Sequence, residues 1–386
     1  MKKYKISDFD SIKPYEDSDI KEVFDRLIKE EAFQQLLRFL FPDSTHSFFM
    51  NKVSNMTTIR QFQNDIISDY VKVVIDDTSK GVTATGLESL SPKESYLYIS
   101  NHRDILLDPA ILNVVLVDNG FDTTEIAIGD NLLIYPWITD LVKLNRTFIV
   151  NRNLPLKQTL ESFSRLSNYI RYKITKKKTS IWIAQREGRS KDGNDQTQIS
   201  LLKMLNMSGT KSCIKNFKEL KIVPVSISYE RDPCDYLKAL EFLKKKKDGD
   251  YQKTYEDDMT HMGTGLKGRK ERIDFCFGKP IENELNILEN INDKNERFSA
   301  LAEIIDKNVH LNYKLWPGNY IAWDILNGKK EYSDKYTPQD ITNFNDYVAD
   351  HINRCNLTAQ EDKDFIQTSL LEMYANPVKN IKQYEN

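Results

Sequence analysis

Residues 96–109, with the sequence YLYISNHRDILLDP, join a short apolar run to the start of a helix. The apolar run at 96–100 is typical of a buried strand. Asp108 followed by Pro109 indicates a helix N-cap and the first helical residue. A strand that leads directly into a helix is the repeating unit of an α/β sheet. Because ligands bind where the strands of such sheets end, His102 is in a position to take part in a reaction.

The same alternation of short apolar runs and helical patterns continues along the middle of the chain. The predicted strands are at 96–100, 124–128, 147–150, 180–184, 220–229 and 272–277. The predicted helices between them are at 109–118, at 156–176 and from 200 towards 220. We therefore expect an α/β domain at 82–285, with a central mixed sheet flanked by helices.

Both ends of the chain have helical patterns instead. Apolar residues recur at helical spacing over 18–41 and 59–74, which predicts a helical N-terminal region at 1–81. The pattern becomes helical again after Pro280, so that 286–386 is predicted to be a helical C-terminal region. The sequence alone assigns no role to these two regions.

The composition excludes several classes of protein. The 386 residues carry a formal net charge of -2, from 55 basic and 57 acidic side chains, so no overall field would attract nucleic acid. The four cysteines are far apart in the sequence, which indicates reduced thiols and neither a disulfide framework nor a zinc site. The N-terminal residues do not read as a signal peptide, and no apolar stretch has the ~18 residues of a spanning helix. We therefore expect a cytoplasmic protein that can contact the inner face of a membrane.

Residues 132–138 are a candidate for that contact. Their sequence, LLIYPWI, is apolar and aromatic, and it can enter a bilayer surface if it is exposed. Lysines at 176–178 and 244–247 can add attraction to anionic lipid. The alternative is a buried segment and two solvated helix ends.

His102 is the first candidate for chemistry. A histidine can accept a proton from a substrate hydroxyl near neutral pH when a carboxylate holds its other ring nitrogen. Asp104 and Asp108 are the candidate carboxylates in the same segment. The alternative is that His102 is an ordinary loop histidine and that Asp108 only caps a helix.

A second candidate is the turn that follows the predicted strand at 180–184. It contains Glu187, Gly188, Arg189 and Ser190. A glycine lets the backbone approach a ligand closely, and an arginine can form paired hydrogen bonds with a phosphate. These residues predict a phosphate site, and the alternative is an ordinary turn with a solvated arginine.

Two arginines bracket the predicted strand at 147–150. Arg146 precedes this strand and Arg152 follows it. A planar guanidinium suits an anionic group of a substrate, and Arg152, at the strand end, is in the better position. Surface solvation is the alternative for each arginine. A later strand at 221–229 contains Pro224, which alone indicates only a bend or an edge of the sheet.

Together, and in this order, these segments resemble the glycerol-phosphate and lysophosphatidic acid acyltransferase family. The resemblance covers about residues 87–285, and the matching residues are Asn101, His102, Asp108, Arg152, Glu187, Gly188, Arg189, Ser190 and Pro224. It implies an O-acyltransferase that moves a fatty acyl group from acyl-CoA or acyl carrier protein to a hydroxyl of a glycerol phosphate or a lysophospholipid. It implies no metal and no redox cofactor.

The resemblance also implies that His102 is the general base and that Asp108 orients it. The family usually has four residues between the two, whereas this chain has five. Either the loop carries one extra residue or Asp104 has taken the orienting role. We favour Asp108, because a loop absorbs an extra residue more easily than a sheet does.

The residues implied for acceptor binding follow the same motifs. They are Glu187, Gly188, Arg189, Ser190 and Arg152, with Arg146 as a further candidate. Gln185 and Arg186 replace the usual Phe-Pro pair before Glu187, and no threonine stands before Arg189. The sequence therefore leaves the identity of the acceptor open. A non-catalytic lipid-binding or scaffolding protein of the same fold is the rival hypothesis, and the extra residue after His102 is its main support.

Overall fold

The computed structural model of the protein describes residues 4–40, 51–152 and 154–385. Within these residues, a seven-stranded sheet occupies the middle of the chain. Its strands are β1 Ser79–Thr85, β2 Leu97–Ser100, β3 Glu125–Gly129, β4 Thr147–Val150, β5 Ile181–Ala184, β6 Ile222–Tyr229 and β7 Glu271–Phe277. Their order across the sheet is β1-β7-β6-β2-β5-β3-β4.

The neighbouring strands β6, β2, β5, β3 and β4 all run in the same direction. β2 pairs in parallel with both β5 and β6, and β3 pairs in parallel with both β5 and β4. β7 runs antiparallel to β6, and β1 is parallel to β7. The sheet is therefore mixed, and the predicted fold class is confirmed. The C-terminal ends of the five parallel strands lie along the same side of the sheet, and we call this side the carboxyl edge.

Helices cover the sheet and form both ends of the described chain. In chain order they are α1 Ile20–Leu27, α2 Glu31–Leu40, α3 Ile59–Phe62, α4 Asp69–Thr78, α5 Leu107–Asp118, α6 Pro136–Leu144, α7 Leu156–Tyr172, α8 Ile199–Asn206, α9 Cys213–Lys218, α10 Asp235–Lys247, α11 Tyr255–Lys267, α12 Lys294–Leu311, α13 Pro317–Asn327, α14 Pro338–Arg354 and α15 Gln360–Lys382. Short π and 3₁₀ turns lie at Ile6–Phe9, Asp17–Asp19, Gln63–Ser68, Leu87–Ser89, Asp130–Leu132, Lys173–Lys177 and Glu284–Asn290.

The helical extensions that the sequence predicts at both ends are confirmed. The predicted helix over 18–41 is divided in the structure, because α1 and α2 are separate helices. The part of the predicted N-terminal region at 41–50 lies outside the described residues, as do residues 1–3. The domain limits at 81 and 285 stay predictions. No helix in the described ranges combines the length and the apolar character needed to span a membrane.

The sheet is buried on both faces. On one face, Ile99, Phe148 and Ile183 belong to an apolar core shared with α7, α8 and α12. On the other face, Tyr98 and Ile227 belong to a core shared with α4 and α5. Neighbouring residues of a strand point to opposite faces, so a strand that is covered on both sides has a continuous apolar run. This explains why β2 could be recognised from its sequence.

Each of the six predicted strands occurs, with ends within two residues of the predicted ones. β1 escaped prediction because most of its side chains are exposed, so its sequence has no apolar run. The helix predicted from 200 towards 220 is two helices, α8 and α9. Ser212 separates them, since its side chain accepts a hydrogen bond from the N–H group of Lys215 and so starts α9.

α10 and α11, which form a helical insertion between β6 and β7, were not among the predicted helices, although the lysines at 244–247 do form the end of α10 as in the alternative account. Lys238, Glu241 and His261 are polar residues that are buried in these two helices. Polar residues at buried positions weaken the apolar periodicity that predicts a helix. α10 also packs on the C-terminal helices, because Ala239 shares a core with Phe344 and Leu370.

Candidate active site

The loop between β2 and α5 brings His102 and Asp108 into contact. His102 Nδ1 lies 2.8 Å from Asp108 Oδ2. α5 begins at Leu107, so Asp108 lies in the first turn of the helix, and its predicted place as the N-cap is wrong. The N-cap residue is Leu106, and Asp104 Oδ1 accepts hydrogen bonds from the N–H groups of Leu106 at 2.9 Å and Leu107 at 2.8 Å. The His102 ring therefore pairs with Asp108 and not with Asp104.

The Asp108 carboxylate is fully buried and is held from several sides. Its Oδ2 accepts hydrogen bonds from the N–H groups of Arg103 at 2.5 Å and Asp104 at 3.1 Å. Its Oδ1 accepts one from the Tyr229 hydroxyl at 2.9 Å. Burial and the Asp108 charge raise the pKa of Tyr229 well above its usual range, so Tyr229 remains a donor. Donors of this kind stabilise the carboxylate and fix its orientation.

Asp104 is the second buried carboxylate of the loop. Burial and the nearby Asp108 raise its pKa. α11 passes very close to it, since a Cβ atom added at Gly265 would lie 2.1 Å from Asp104 Oδ2. The glycine allows α11 to pack directly on the loop that carries His102.

The turn after β5 lies beside His102. The N–H group of Ser190 donates a hydrogen bond to the His102 carbonyl at 2.9 Å. Trp182, in β5, packs edge to face against the imidazole, with 5.4 Å between ring centroids. The His102 side chain remains 14% exposed. The first two predicted motifs therefore meet at the carboxyl edge.

Glu187 and Gly188 form the open part of this turn. Gly188 has a φ of +72°, a left-handed conformation that favours glycine, and a Cβ atom there would meet nothing within 4 Å. Glu187 Oε1 lies 3.3 Å from Nη1 of Arg152, which follows β4. The two side chains are 62% and 30% exposed. Arg152 is thus brought to the same edge as His102 and is accessible there.

Arg189 is placed differently from the sequence-based expectation, because its side chain points into the protein. It is buried, and one terminal nitrogen lies 2.9 Å from His261 Nδ1. Burial and the Arg189 charge lower the pKa of His261 to about 2, so the imidazole is neutral and accepts this hydrogen bond. Within the described part of the chain, the other terminal nitrogen of Arg189 is buried without a partner.

Arg146 is not brought to the carboxyl edge. It precedes β4, so it lies at the opposite end of the strand from Arg152. Its Nη1 donates hydrogen bonds to Asp122 at 3.2 Å and to the Thr123 hydroxyl at 2.8 Å. These hydrogen bonds hold the Arg146 side chain at the start of β4.

Comparisons with known proteins identify the family of the domain that contains these residues. Residues 81–228 match the family model described as Acyltransferase, and this range contains every site residue predicted from the sequence. The chain therefore contains a domain of the acyltransferase family at residues 81–228. The predicted family and the predicted enzyme class, an O-acyltransferase, are confirmed. No curated protein matches the chain.

One solved structure is also similar to this acyltransferase. It is the 1-acyl-sn-glycerophosphate acyltransferase PlsC from Thermotoga maritima, which is similar over 76% of this chain and 96% of that chain. The sequence identity is 11% and the TM-score is 0.40. At these values, no statement about substrate or mechanism rests on the similarity.

Among residues 4–40, 51–152 and 154–385, no group of three or more His, Cys, Asp or Glu side chains is arranged to hold a metal ion.

The sequence did not indicate the buried charges that surround the His102 loop of the acyltransferase. Arg103, directly after His102, pairs with Asp195 at 2.5 Å, and both side chains are buried. Lys238 in α10 is fully buried and contacts the same loop. The position of Arg103 beside His102 was the one available signal, since Asp195 and Lys238 lie outside the matching motifs.

Proposed function

We propose that this acyltransferase moves an acyl group from a thioester to a hydroxyl of a glycerolipid-type acceptor, with His102 as the general base. The contact between His102 and Asp108 at the carboxyl edge is the observation that supports this most strongly. Because Asp108 engages Nδ1, Nε2 is the ring nitrogen left to face a substrate. An accessible histidine oriented by a buried carboxylate is suited to proton transfer.

The reaction requires no covalent enzyme intermediate. The acceptor oxygen bonds to the thioester carbonyl carbon while its proton moves to Nε2 of His102. The carbon–sulfur bond then breaks, and the proton neutralises the departing thiolate. Asp108 stabilises the imidazolium in between, as buried carboxylates do beside catalytic histidines. The thiol belongs to coenzyme A or acyl carrier protein, and no metal or redox cofactor takes part.

Arg152 is the best-placed residue to bind an anionic group of the acceptor. Its guanidinium is partly exposed beside Glu187 and at the same edge as His102. A phosphate would form charge-assisted hydrogen bonds with it. The open space over Gly188 gives the acceptor room beside the turn. The inward Arg189 ties the turn to His261, and Ser190 joins the turn to the His102 carbonyl.

The carboxyl edge also has the surface expected of a protein that takes its substrate from a membrane. Leu106, Ile134, Tyr135 and Leu156 are 37%, 46%, 49% and 79% exposed, and they follow β2, β3 and β4 at this edge. Exposed apolar and aromatic side chains can enter a bilayer surface. The lysines at 176–178 precede β5 and so lie at the other edge, where they cannot assist this contact.

Flotation with vesicles tests the membrane contact. Ile134→Asp should reduce recovery with vesicles of mixed zwitterionic and anionic lipid. Ile287→Asp is the matched control, because Ile287 is 66% exposed but lies beyond β7, whose end is at the opposite edge. If the wild-type protein does not float, or if both variants float equally well, the carboxyl edge is not a membrane-binding surface.

Mass spectrometry of the reaction products tests the proposed function. Purified protein is incubated with acyl-CoA or acyl carrier protein donors and a panel of acceptors that includes glycerol 3-phosphate, lysophosphatidic acid and neutral lysolipids. An ester product is expected with the wild type and not with His102→Ala. If the wild type forms no ester from any pair, the rival hypothesis of a lipid-binding protein replaces this one.

A pair of arginine variants tests the acceptor site. Arg152→Ala should raise the KM for a phosphate-bearing acceptor about 10-fold, as expected for the loss of a charge-assisted hydrogen bond. Arg146→Ala removes a guanidinium at the other end of the same strand and should leave this KM unchanged. Equal KM values for the two variants would remove Arg152 from the acceptor site.

A further inference from the structure

Lys238 lies outside the motifs that match the family, yet its ammonium group contacts the loop that carries His102. The side chain is fully buried in α10. Its Nζ donates a hydrogen bond to the Arg103 carbonyl at 3.0 Å and pairs with Asp232. Burying an unpaired lysine costs several kcal/mol, so a buried lysine needs such partners. Burial opposes the charged form of Asp232, but Lys238 holds the pKa of Asp232 below its usual range.

Arg103 is held at each of its polar groups. Its N–H group donates to Asp108, and its carbonyl accepts from Lys238. Its guanidinium pairs with Asp195 at 2.5 Å and lies over the Tyr313 ring at 5.4 Å. Because Arg103 directly follows His102, these contacts fix the backbone from which the imidazole projects.

Asp232, in the turn that leads into α10, forms hydrogen bonds with the C-terminal helices. The Tyr347 hydroxyl oxygen of α14 lies 3.0 Å from the Asp232 carbonyl oxygen, and the N–H group of Asp232 donates to the Tyr374 hydroxyl of α15 at 3.1 Å. Both tyrosines also donate to Asp235, the first residue of α10. The C-terminal helices therefore fix the start of the helix that carries Lys238.

We propose that Lys238 is a positioning residue, which holds the Arg103 carbonyl so that the His102 ring stays aligned with Asp108. Through it, the C-terminal helical region supports the reaction without touching the substrate. The proposal rests on the proposed role of His102 as the general base. A shift of about 1 Å in a reacting group can cost about 100-fold in rate, so a contact of this kind is relevant to turnover.

A double variant, Lys238→Met with Asp232→Asn, tests the proposal. Both charges are removed together, because Lys238→Met alone would leave Asp232 buried and unpaired. The full-length protein should keep its KM values, whereas kcat should fall by about 10- to 100-fold. Lys247→Met is the control. Lys247 is the last residue of the same helix, and it pairs with Asp362 of α15 at 2.5 Å. The control should keep the wild-type kcat.

A second readout separates positioning from a general loss of structure. In protein labelled with ¹⁵N-histidine, the proton on His102 Nδ1 should give a low-field NMR signal, assigned by its absence in His102→Ala. The double variant should shift or broaden this signal while the other histidine signals remain. An unchanged signal with a kcat within twofold of wild type would overturn the proposal.

If the double variant does not fold, the milder pair Lys238→Gln with Asp232→Asn replaces it, and an unchanged signal and kcat in that protein overturn the proposal equally. If His102→Ala remains active, the assignment of the base is wrong. The NMR signal still decides separately whether Lys238 positions the ring.

Discussion

Two histidines in the described chain are paired with a buried aspartate through Nδ1, but they lie in very different surroundings. His102 and Asp108 lie at the carboxyl edge of the sheet. His351 of α14 pairs with Asp235 of α10, between helices. Both carboxylates are fully buried, so the two pairs cannot be told apart by their own chemistry.

The surroundings of the two rings differ in access. His351 packs against the rings of Tyr236 and Tyr347, with centroids 5.2 and 4.1 Å away. The Asp235 carboxylate accepts hydrogen bonds from Tyr347 at 2.7 Å and Tyr374 at 2.8 Å, so the pair is enclosed by side chains. His102 instead lies beside the open turn at Gly188. A histidine–aspartate contact is a candidate reaction centre where its position leaves the histidine accessible to a substrate. Between packed helices, the same contact stabilises the packing.

The largest expected effect comes from removing the charge of each aspartate in turn. Asp108→Asn should lower kcat by about 100-fold or more, because the imidazolium loses its carboxylate. Asp235→Asn should lower kcat far less than Asp108→Asn does, because Asp235 acts only through the start of α10, and should lower the free energy of unfolding by about 3 kcal/mol, as expected when a buried pair is broken. Kinetics and urea unfolding of the two variants measure both quantities. A large loss of kcat in Asp235→Asn alone would reverse the assignment of the two pairs.

A smaller effect is expected where α11 packs on the His102 loop. Gly265→Ala would place a methyl group 2.1 Å from Asp104 Oδ2, so either the loop or α11 must move. We expect a loss of about 1–3 kcal/mol in unfolding free energy together with reduced kcat. Gly263→Ala is the matched control in the same helix, because a Cβ atom there meets nothing within 4 Å. That variant should be as stable as wild type or more stable by about 0.5–1 kcal/mol. Equal behaviour of the two variants would contradict the close packing.

The smallest expected effect is on the pH dependence of stability. The folded protein lowers the pKa of His261 from 6.5 to about 2, through burial and the charges of Arg189 and Lys253. The unfolded chain binds this proton below about pH 6.5 whereas the folded protein does not, so acid favours unfolding. His261→Gln keeps an acceptor for Arg189 but cannot bind this proton. Between pH 7 and pH 5, the free energy of unfolding of the variant should therefore fall by about 2 kcal/mol less than that of the wild type. Parallel pH profiles of unfolding free energy for wild type and variant would contradict the neutral state of His261.

The sequence was sufficient to predict the central sheet because its strands are buried on both faces. β2 and β5 are short, continuous apolar runs, and such runs can be recognised without the structure. β1 could not be recognised in this way, since its residues are largely exposed and polar. α10 and α11 were missed because Lys238 and His261 occupy buried positions where apolar residues would mark a helix.

The candidate site was predicted in part for related reasons. The placement of His102, Glu187 and Arg152 at one edge follows from their positions after parallel strands, which end at that edge. The inward direction of Arg189 could not be predicted, because it depends on His261 in a helix that the sequence did not indicate. The place of Asp108 within the first turn, and not at the N-cap, depended on where α5 begins, and helix starts are uncertain by a residue or two.

Acyl transfer by His102→Ala and His351→Ala, measured side by side with wild type, tests the central claim most directly. We expect His102→Ala to lose activity by about 1,000-fold with little change in melting temperature, because an accessible general base is removed. We expect His351→Ala to keep most of its kcat and to melt at a lower temperature, because a buried pair is broken. A folded His102→Ala protein with wild-type turnover would show that the pair at the carboxyl edge is not the reaction centre.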